Sequence, residues 1–346
     1  MYKVLVKPIF FIFDPEKVHH VVFSWMKFLM NVPPFKQLMK GMFNYKNRKL
    51  EREVFGLKFS NPVGLAAGFD KDAKLFNELG ELGFGFVEIG TLTPKGQPGN
   101  AKPRLFRIPE DQGLINRMGF NNEGVYAALK RLKNRKTKVI VGGNIGKNTL
   151  TDPDKTDDDY VEVFEQLYEY VDYFVVNVSC PNVGNLTKLQ EKEPLKRLMK
   201  RISDINNSKK KPKPLLLKIA PDLSEVELDD VIDIIKTLNL DGVVAANTSV
   251  DRSELKTNKD YLEDTIGWPG GLSGKPLRNK STKVIKYLYD QLGDDYPIIG
   301  VGGIHSAEDA IEKINAGAKL IQIYTGFVYE GPGLIKSINR KLVSAE

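Results

Sequence analysis

Short apolar runs alternate with amphipathic stretches from residue 61 to the end of the chain. The apolar runs are rich in β-branched residues, as buried strands are, and occupy residues 63–67, 85–89, 138–142, 173–178, 215–219, 242–246, 297–301 and 320–324. Helical spacing of apolar residues occupies residues 72–82, 125–133, 157–171, 194–206, 224–238, 281–292, 306–316 and 334–342. Repeated strand–helix units of this kind predict an α/β fold, a (β/α)8 TIM barrel. A doubly wound open sheet is the alternative, but no G-x-G-x-x-G follows the first strand.

The first 45 residues have a different pattern. Asp14 and Pro15 are typical of a helix start, and apolar residues then recur at helical spacing as far as Leu29. His19 and Lys27 are among the polar residues that keep this segment too short to span a membrane, and no secretory cleavage site follows it. We therefore expect residues 1–45 to form a helical extension on a membrane surface, and residues 46–346 to form the barrel. A helix packed on the protein's own core is the alternative.

The charge of the chain is concentrated in the same region. The chain has 51 Lys and Arg and 44 Asp and Glu, hence a net charge of +7, and its first 50 residues contain nine of the basic and two of the acidic residues. The excess positive charge therefore lies entirely in the first 50 residues, where it favours an anionic membrane surface. These basic residues alternate with large apolar ones and form no basic stripe, so we expect no nucleic-acid partner.

Cys180 is the only cysteine, which excludes a disulfide framework and predicts a reducing compartment. It lies in the sequence Asn-Val-Ser-Cys-Pro-Asn, directly after a buried apolar run. A lone cysteine is more often a small buried hydrophobic residue than a catalyst. Its position at a strand end, between two asparagines, indicates a reactive thiol instead.

The predicted strands end in polar or glycine residues. Because active sites of such barrels lie at the carboxyl ends of the strands, these residues are expected to converge there. They are Gly68, Asp70, Lys71, Gly90, Thr91, Asn144, Asn177, Cys180, Lys218, Asn247, Thr248, Gly302, Gly303, Tyr324, Thr325 and Gly326. The glycines after the last two strands are typical of a phosphate site. Lys218, in an apolar strand, fits the electron-rich edge of a flavin, or alternatively reaches solvent at the strand end.

Several longer motifs resemble those of the dihydroorotate dehydrogenase family. They lie at residues 66–72, 88–91, 102–107, 113–122, 144–148, 177–182, 218–223, 270–274 and 300–304. Residues 14–19 resemble the quinone-linked, membrane-associated class of that family. The resemblance extends from Asp14 to about residue 333 and favours the membrane interpretation of the extension.

The resemblance implies oxidation of (S)-dihydroorotate to orotate in de novo pyrimidine (UMP) synthesis. The hydride would pass to FMN and the electrons to a membrane quinone. It further implies a peripheral protein on the cytoplasmic face of the cell membrane, with a monomer favoured and no metal site. The alternatives are the same reaction with a soluble acceptor, fumarate or NAD, and another FMN-dependent barrel oxidoreductase. A membrane adaptor without enzymatic activity would not explain the polar strand ends.

The resemblance also assigns residues to roles. Cys180 is the general base that takes the C5 proton of the substrate. FMN contacts are expected from Ala67, Gly68, Lys71, Thr91, Asn144, Asn177, Lys218, Ala246, Gly274, Gly303, Tyr324 and Thr325. Substrate contacts are expected from Lys71, Asn116, Arg117, Met118, Gly119, Phe120, Asn177, Asn182, Asn247 and Thr248. A quinone tunnel is expected at His19, Arg107 and Tyr324.

The chain departs from the quinone-linked pattern at three positions. That class usually has serine as the base, whereas Cys180 is typical of the soluble class, which is coupled to fumarate or NAD. Ala246 replaces a common threonine and removes a hydroxyl near the flavin. Phe10 lies where animal relatives have a glutamine in the tunnel. A 2-hydroxy-acid oxidase would need a histidine base, and no histidine follows a strand at a suitable position.

Overall fold

The computed structural model describes residues 2–179, 189, 191–266 and 270–345. The helices are α1 (Lys7–Ile12), α2 (Pro15–Leu29), α3 (Pro33–Phe43), α4 (Phe76–Glu81), α5 (Val125–Leu132), α6 (Thr156–Leu167), α7 (Lys192–Asn207), α8 (Glu225–Leu238), α9 (Arg278–Leu292), α10 (Ala307–Asn315), α11 (Thr325–Glu330) and α12 (Gly333–Ala345). The strands are β1 (Arg52–Val54), β2 (Leu57–Phe59), β3 (Val63–Asp70), β4 (Phe86–Leu92), β5 (Leu105–Ile108), β6 (Gly113–Asn116), β7 (Ile140–Ile145), β8 (Tyr173–Asn177), β9 (Leu215–Ile219), β10 (Gly242–Ala245), β11 (Gly271–Gly274), β12 (Ile298–Val301) and β13 (Ala318–Ile323).

A closed barrel of parallel strands forms the centre of the molecule. Its order is β3, β4, β7, β8, β9, β10, β12 and β13, and β13 pairs back to β3. Each strand corresponds to one of the apolar runs in the sequence, and the helices lie outside them. The predicted (β/α)8 barrel is therefore confirmed.

The interior of the barrel is filled by large side chains facing small ones. A Cβ atom added to Gly64 would lie 2.2 Å from the Phe86 ring, and one added to Gly142 would lie 2.2 Å from the Tyr173 ring. The hairpin of β1 and β2 extends this core, since Phe59 packs edge-on against Phe86 at 5.3 Å. The end of the barrel opposite the strand carboxyl ends is thus closed by packing.

The first barrel helix is shorter than the helical spacing predicted. Helix α4 begins at Phe76, not at Asp72, because the buried Asp70 carboxylate accepts the N–H groups of Lys74 (2.7 Å) and Leu75 (2.8 Å). Ala73 has a positive φ of 54°, which a helix does not allow. The segment after β3 is therefore held as a turn at the mouth of the barrel.

A three-stranded antiparallel sheet of β5, β6 and β11 was not predicted from the sequence. Strand β6 lies in the middle, with Asn116 opposite Gly271 of β11 and Leu105 of β5. Its apolar side packs on Leu262 and Ile266. This sheet brings the segment after Asn116 to the open end of the barrel.

The extension consists of α1, α2 and α3, preceded by a short helical turn at Tyr2–Val6. The predicted start of α2 is confirmed, since the Asp14 side chain accepts the N–H of Lys17. Phe23 and Met26 pack on the core of the barrel domain, whereas Trp25 is 63% exposed and Phe28 70% exposed. One side of α2 therefore packs on the protein's own core, and the other side is exposed. Among the described residues, no helix has the length and apolar character needed to cross a bilayer.

Candidate active site

A cavity lies at the carboxyl ends of the barrel strands and is lined by most of the predicted site residues. Of the expected FMN contacts, Ala67, Gly68, Lys71, Thr91, Asn177, Lys218, Ala246, Gly274, Gly303, Tyr324 and Thr325 line it. Of the expected substrate contacts, Lys71, Asn116, Met118, Gly119, Phe120, Asn177, Asn247 and Thr248 line it. Residues far apart in sequence thus meet at one place, as the barrel topology requires.

A chain of hydrogen-bonded side chains crosses the floor of this cavity. The Thr91 hydroxyl donates to Asn144 Oδ1 (2.5 Å), and Asn177 Nδ2 donates to the Thr91 oxygen (2.9 Å) and to Asn144 Oδ1 (3.2 Å). Asn247 Nδ2 donates in turn to Asn177 Oδ1 (3.3 Å) and to Ser179 Oγ (3.1 Å). Asn144 does not itself line the cavity but holds Thr91 and Asn177, which do. Each amide orientation is therefore fixed by its neighbour.

Glu88 is a site residue that the sequence reasoning missed. Its carboxylate is 0% exposed and accepts hydrogen bonds from Asn144 Nδ2 (2.8 Å) and Gln322 Nε2 (2.6 Å). Lys218, 4% exposed, places its Nζ 3.9 Å from Glu88 Oε1. A buried cation needs such a counter-charge. The burial inferred for Lys218 is confirmed, and a lone carboxylate in the apolar strand β4 was the signal that could have revealed its partner.

Glycine backbones form one end of the cavity. Gly302 and Gly303 have φ values of 118° and 75°, and a Cβ atom on Gly303 would lie 2.3 Å from the Arg278 backbone. A Cβ atom on Gly326 would lie 1.9 Å from the Ile304 carbonyl oxygen. Only glycine fits at these positions, and its backbone N–H groups can face a ligand closely, as phosphate sites require. The Ser306 side chain caps helix α10 by accepting the N–H of Asp309.

Arg117 is placed differently from the other expected substrate residues. Its Nη1 donates to the Ile266 carbonyl (2.6 Å) and its Nη2 to the Pro103 carbonyl (3.1 Å). It is not among the described residues that line the cavity. Arg117 therefore connects the segment after β6 to two other loops.

A second, smaller cavity adjoins the first and separates it from the extension. His19, Phe23, Phe69 and Tyr324 line it. Burial, with the nearby positive charge of Lys71, lowers the pKa of His19 to about 3, so this imidazole is neutral at physiological pH. Burial likewise raises the pKa of Tyr324 to about 12. Two of the three expected tunnel residues therefore meet between α2 and the barrel mouth, in a cavity lined by aromatic side chains and by charged ones such as Glu16 and Lys71.

Arg107, the third expected tunnel residue, is not among the described residues lining that cavity. Its guanidinium lies 4.5 Å from the centre of the Phe11 ring, and its Nη1 donates to the Phe13 carbonyl at 2.7 Å. Arg107 thus connects the end of α1 to strand β5. Cys180 and Asn182 lie outside the described residues.

The sequence and the fold both match known proteins. The family model for dihydroorotate dehydrogenase matches residues 49–345. This chain belongs to the dihydroorotate dehydrogenase family. A relative from Christiangramia forsetii, named dihydroorotate dehydrogenase (quinone), is 56% identical over 344 residues, which cover 99% of each chain. One from Gloeobacter violaceus with the same name is 45% identical over 344 residues, 98% of this chain and 93% of its own.

Solved structures of this dihydroorotate dehydrogenase family have the same fold. The ligand-free enzyme from Eimeria tenella superposes with a TM-score of 0.85 at 34% identity, over 96% of this chain and 95% of its own. The Eimeria tenella structure determined with ferulenol gives a TM-score of 0.84 at 33% identity. The match extends over almost the whole chain, so it includes residues of the helical extension. The family resemblance and its quinone-linked type are thereby confirmed.

Proposed function

We propose that this chain oxidises (S)-dihydroorotate to orotate in de novo pyrimidine synthesis and passes the electrons to a membrane quinone. The observation that carries this proposal is the cavity at the strand ends, lined by the residues that the family motifs supply, in a chain 56% identical over 344 residues to a protein named dihydroorotate dehydrogenase (quinone).

The residues of the cavity fit FMN as the cofactor. When bound, FMN supplies a hydride acceptor that can hand electrons to a second acceptor. Lys218 provides a buried cation, the Thr91–Asn144–Asn177 chain provides polar groups, and the close-packed glycines provide a phosphate cradle. Gln322 adds a buried side-chain oxygen, Oε1, that has no hydrogen-bond partner among the described residues. The proposed FMN ligands are Ala67, Gly68, Lys71, Thr91, Asn144, Asn177, Lys218, Ala246, Gly274, Gly303, Tyr324 and Thr325.

Amides are suited to hold the substrate. Dihydroorotate has carbonyl and N–H edges, and the side chains of Asn116, Asn177 and Asn247 offer both donors and acceptors at the cavity wall. Lys71 lines the same cavity and can meet the substrate carboxylate. The other proposed substrate ligands are Arg117, Met118, Gly119, Phe120, Asn182 and Thr248.

Cys180 is the proposed general base. Oxidation of dihydroorotate removes a proton from C5 and a hydride from C6, so one protein group must accept that proton. A thiolate accepts this proton as a general base and forms no covalent bond to the substrate. Strand β8 ends at Asn177, whose side chain lies at the cavity, so the chain enters the Cys180 segment at the reaction site.

The extension is proposed to bind the membrane surface and admit the quinone. Ile12, Phe13, Val21, Trp25 and Phe28 are exposed apolar residues on α1, α2 and their connection. Such a surface, within the first 50 residues that carry a net charge of +7, is suited to an anionic bilayer and to peripheral binding on its cytoplasmic face. His19, Arg107 and Tyr324 would then border the path from the membrane to the barrel mouth.

The proposal is tested by purifying the protein and assaying three acceptors in parallel. We expect a yellow protein that releases FMN on denaturation and oxidises dihydroorotate with a quinone far faster than with fumarate or NAD. A colourless protein that cannot be reconstituted with FMN would contradict the reaction. Faster turnover with fumarate or NAD would agree with the oxidation of dihydroorotate but contradict the quinone as the electron acceptor.

A further inference from the structure

Glu16 is a buried charged residue in the first turn of α2, on the extension. It is 5% exposed, and the guanidinium of Arg104, itself 6% exposed, donates to both of its oxygens. Arg104 Nε lies 3.1 Å from Oε2 and Nη2 lies 2.7 Å from Oε1. Lys102 Nζ lies 3.2 Å from Oε1. This two-pronged geometry fixes the plane of the guanidinium.

The remaining nitrogen of Arg104 organises the loop of residues 98–104. Arg104 Nη1 donates to the carbonyls of Pro98 (2.5 Å) and Asn100 (2.8 Å). The Arg104 carbonyl accepts the N–H of Arg117 at 2.9 Å. A guanidinium held in place by Glu16 therefore fixes the loop in one shape and joins it to the segment after β6.

That loop in turn supports residues 117–119, of which Met118 and Gly119 line the main cavity. The Asn100 N–H donates to the Met118 carbonyl (3.1 Å), and Asn100 Nδ2 donates to the Arg117 carbonyl (3.0 Å). The fit is tight, because a Cβ atom on Gly99 would lie 2.2 Å from the Met118 oxygen. A shift of the loop cannot leave the cavity wall unchanged.

We infer that Glu16 is a positioning residue for dihydroorotate. It acts through Arg104 and the loop of residues 98–104 to hold residues 117–119 against the substrate. This inference rests on the proposed function. Its consequence is that the extension shapes the binding of the soluble substrate as well as the access of the quinone.

Glu16 keeps its charge at any pH at which the enzyme works. Burial raises its pKa, but the hydrogen bond and charge of Arg104 outweigh burial and bring the pKa down to about 2. Because the folded-state pKa lies below the ordinary value, the pair is intact above about pH 4 and is lost only as pH falls toward 2. A change in substrate binding between pH 6 and 8 therefore cannot come from this pair.

Glu81 provides a matched control. Glu81 of α4 also joins the extension to the barrel domain, through Lys36 at 3.1 Å and Lys40 at 2.8 Å, both on α3. Glu16 lines the smaller cavity, whereas Glu81 is not among the described residues that line either cavity. Loss of this pair weakens the attachment of the extension without touching the loop of residues 98–104.

The test compares E16Q with E81Q in the full-length FMN-loaded protein. For E16Q we expect the orotate Kd and the dihydroorotate KM to rise by about 10- to 100-fold, as misplaced binding groups do. For E81Q we expect both substrate constants to stay within about twofold of wild type. The orotate Kd is read from the change in flavin absorbance, which needs no turnover.

Several outcomes would overturn the inference. One is an E16Q protein that melts earlier but binds orotate as wild type does, and another is an equal loss of orotate binding in E81Q. If E16Q does not fold, E16D keeps the charge but cannot reach both guanidinium nitrogens, and an unchanged orotate Kd in E16D contradicts the inference equally well. Failure of the wild-type protein to bind orotate would instead contradict the proposed function.

Discussion

The extension and the barrel mouth distribute polar and apolar side chains in opposite ways. At the barrel mouth, Asn144, Asn177 and Lys218 are buried. On the extension, Trp25 and Phe28 are exposed. Buried polar groups are costly unless they are paired, and exposed apolar surface marks a site of contact with a partner or a membrane. The barrel mouth is therefore suited to bind polar ligands, and the exposed side of the extension is suited to contact an apolar surface.

The two regions also differ in how they are held. The polar groups of the barrel mouth are anchored on separate strands and are already hydrogen-bonded to one another. The extension has one side packed on the core through Phe23 and Met26 and fixed by the buried Glu16–Arg104 pair. The barrel mouth is thus pre-organised for chemistry, while the free side of the extension is available to a lipid surface.

Loss of the Cys180 thiol is expected to have the largest effect. Cys180→Ala should slow flavin reduction by dihydroorotate by about 10² to 10⁴-fold, the usual contribution of a general base, while orotate still binds. Cys180→Ser should retain part of the rate and move its pH dependence upward, because a hydroxyl is a much weaker acid than a thiol with a pKa near 8.5. Stopped-flow measurement of flavin bleaching across pH gives both values. Reduction at the wild-type rate in the alanine variant would mean that Cys180 is only a buried hydrophobic residue.

The exposed side of α2 is expected to dominate membrane binding. Replacing Trp25 and Phe28 together by glutamate removes two apolar contributions of about 1.5–3 kcal/mol each and should weaken binding to anionic vesicles by at least 10²-fold. Val226→Glu is the matched control, since Val226 is 72% exposed but lies on barrel helix α8. Vesicle co-sedimentation measures both proteins. Equal loss of binding in the two would show that charge alone, and not this face, determines attachment.

Removal of the Glu88 charge is expected to lower the free energy of unfolding, because Glu88 pairs with Lys218 beneath the cavity. Glu88→Gln leaves Lys218 without its buried counter-charge and replaces one acceptor oxygen by a donor, so we expect a loss of about 1–3 kcal/mol in unfolding free energy. Tyr173→Phe is the control, because it removes a neutral hydroxyl that lies 3.5 Å from Glu88 Oε2 and leaves the charge of Glu88 in place. Urea denaturation of the FMN-loaded proteins measures the difference. An equal effect of both substitutions would show that packing, and not the charge, determines the stability of this region.

The smallest effect concerns acid stability near α2. Because burial and the Lys71 charge lower the pKa of His19 to about 3, the unfolded chain binds this proton more readily, and stability is lost as pH falls from about 6.5 toward 3. His19→Gln should therefore show a smaller fall in melting temperature between about pH 7 and 5 than the wild type. His20→Gln, at the neighbouring and more exposed position, is the control. A fall of the same size in wild type and His19→Gln would exclude His19 as the titrating group.

The barrel could be predicted because its strands are continuous apolar runs, each followed by a helical stretch. The sheet of β5, β6 and β11 could not, because its strands are four residues long and β6 pairs with a segment about 155 residues further along the chain. The late start of α4 depends on where Asp70 places its carboxylate, which no spacing reveals. Local pattern thus predicts the repeating units but not the contacts between loops.

Of the site, the sequence predicted the residues at the strand ends but not two buried carboxylates, Glu88 and Glu16. Residues at or just beyond the carboxyl ends of strands, such as Thr91, Lys218 and Asn247, could be predicted because the topology places them together. Glu88 was missed because it lies further back in β4, and Glu16 because an acidic residue in the first turn of a helix is ordinary. Both carboxylates act through a buried partner, Lys218 or Arg104, which only the fold brings near.

The most direct test separates the two half-reactions in one protein. Full-length FMN-loaded enzyme on anionic vesicles is reduced anaerobically by dihydroorotate and then mixed with a membrane quinone, and the same is done with the Trp25/Phe28 double-glutamate variant. We expect flavin reduction at the same rate in both proteins, and reoxidation by the quinone that is fast in wild type and slow in the variant. Slow reduction together with normal reoxidation in the variant would contradict the division of work between barrel and extension.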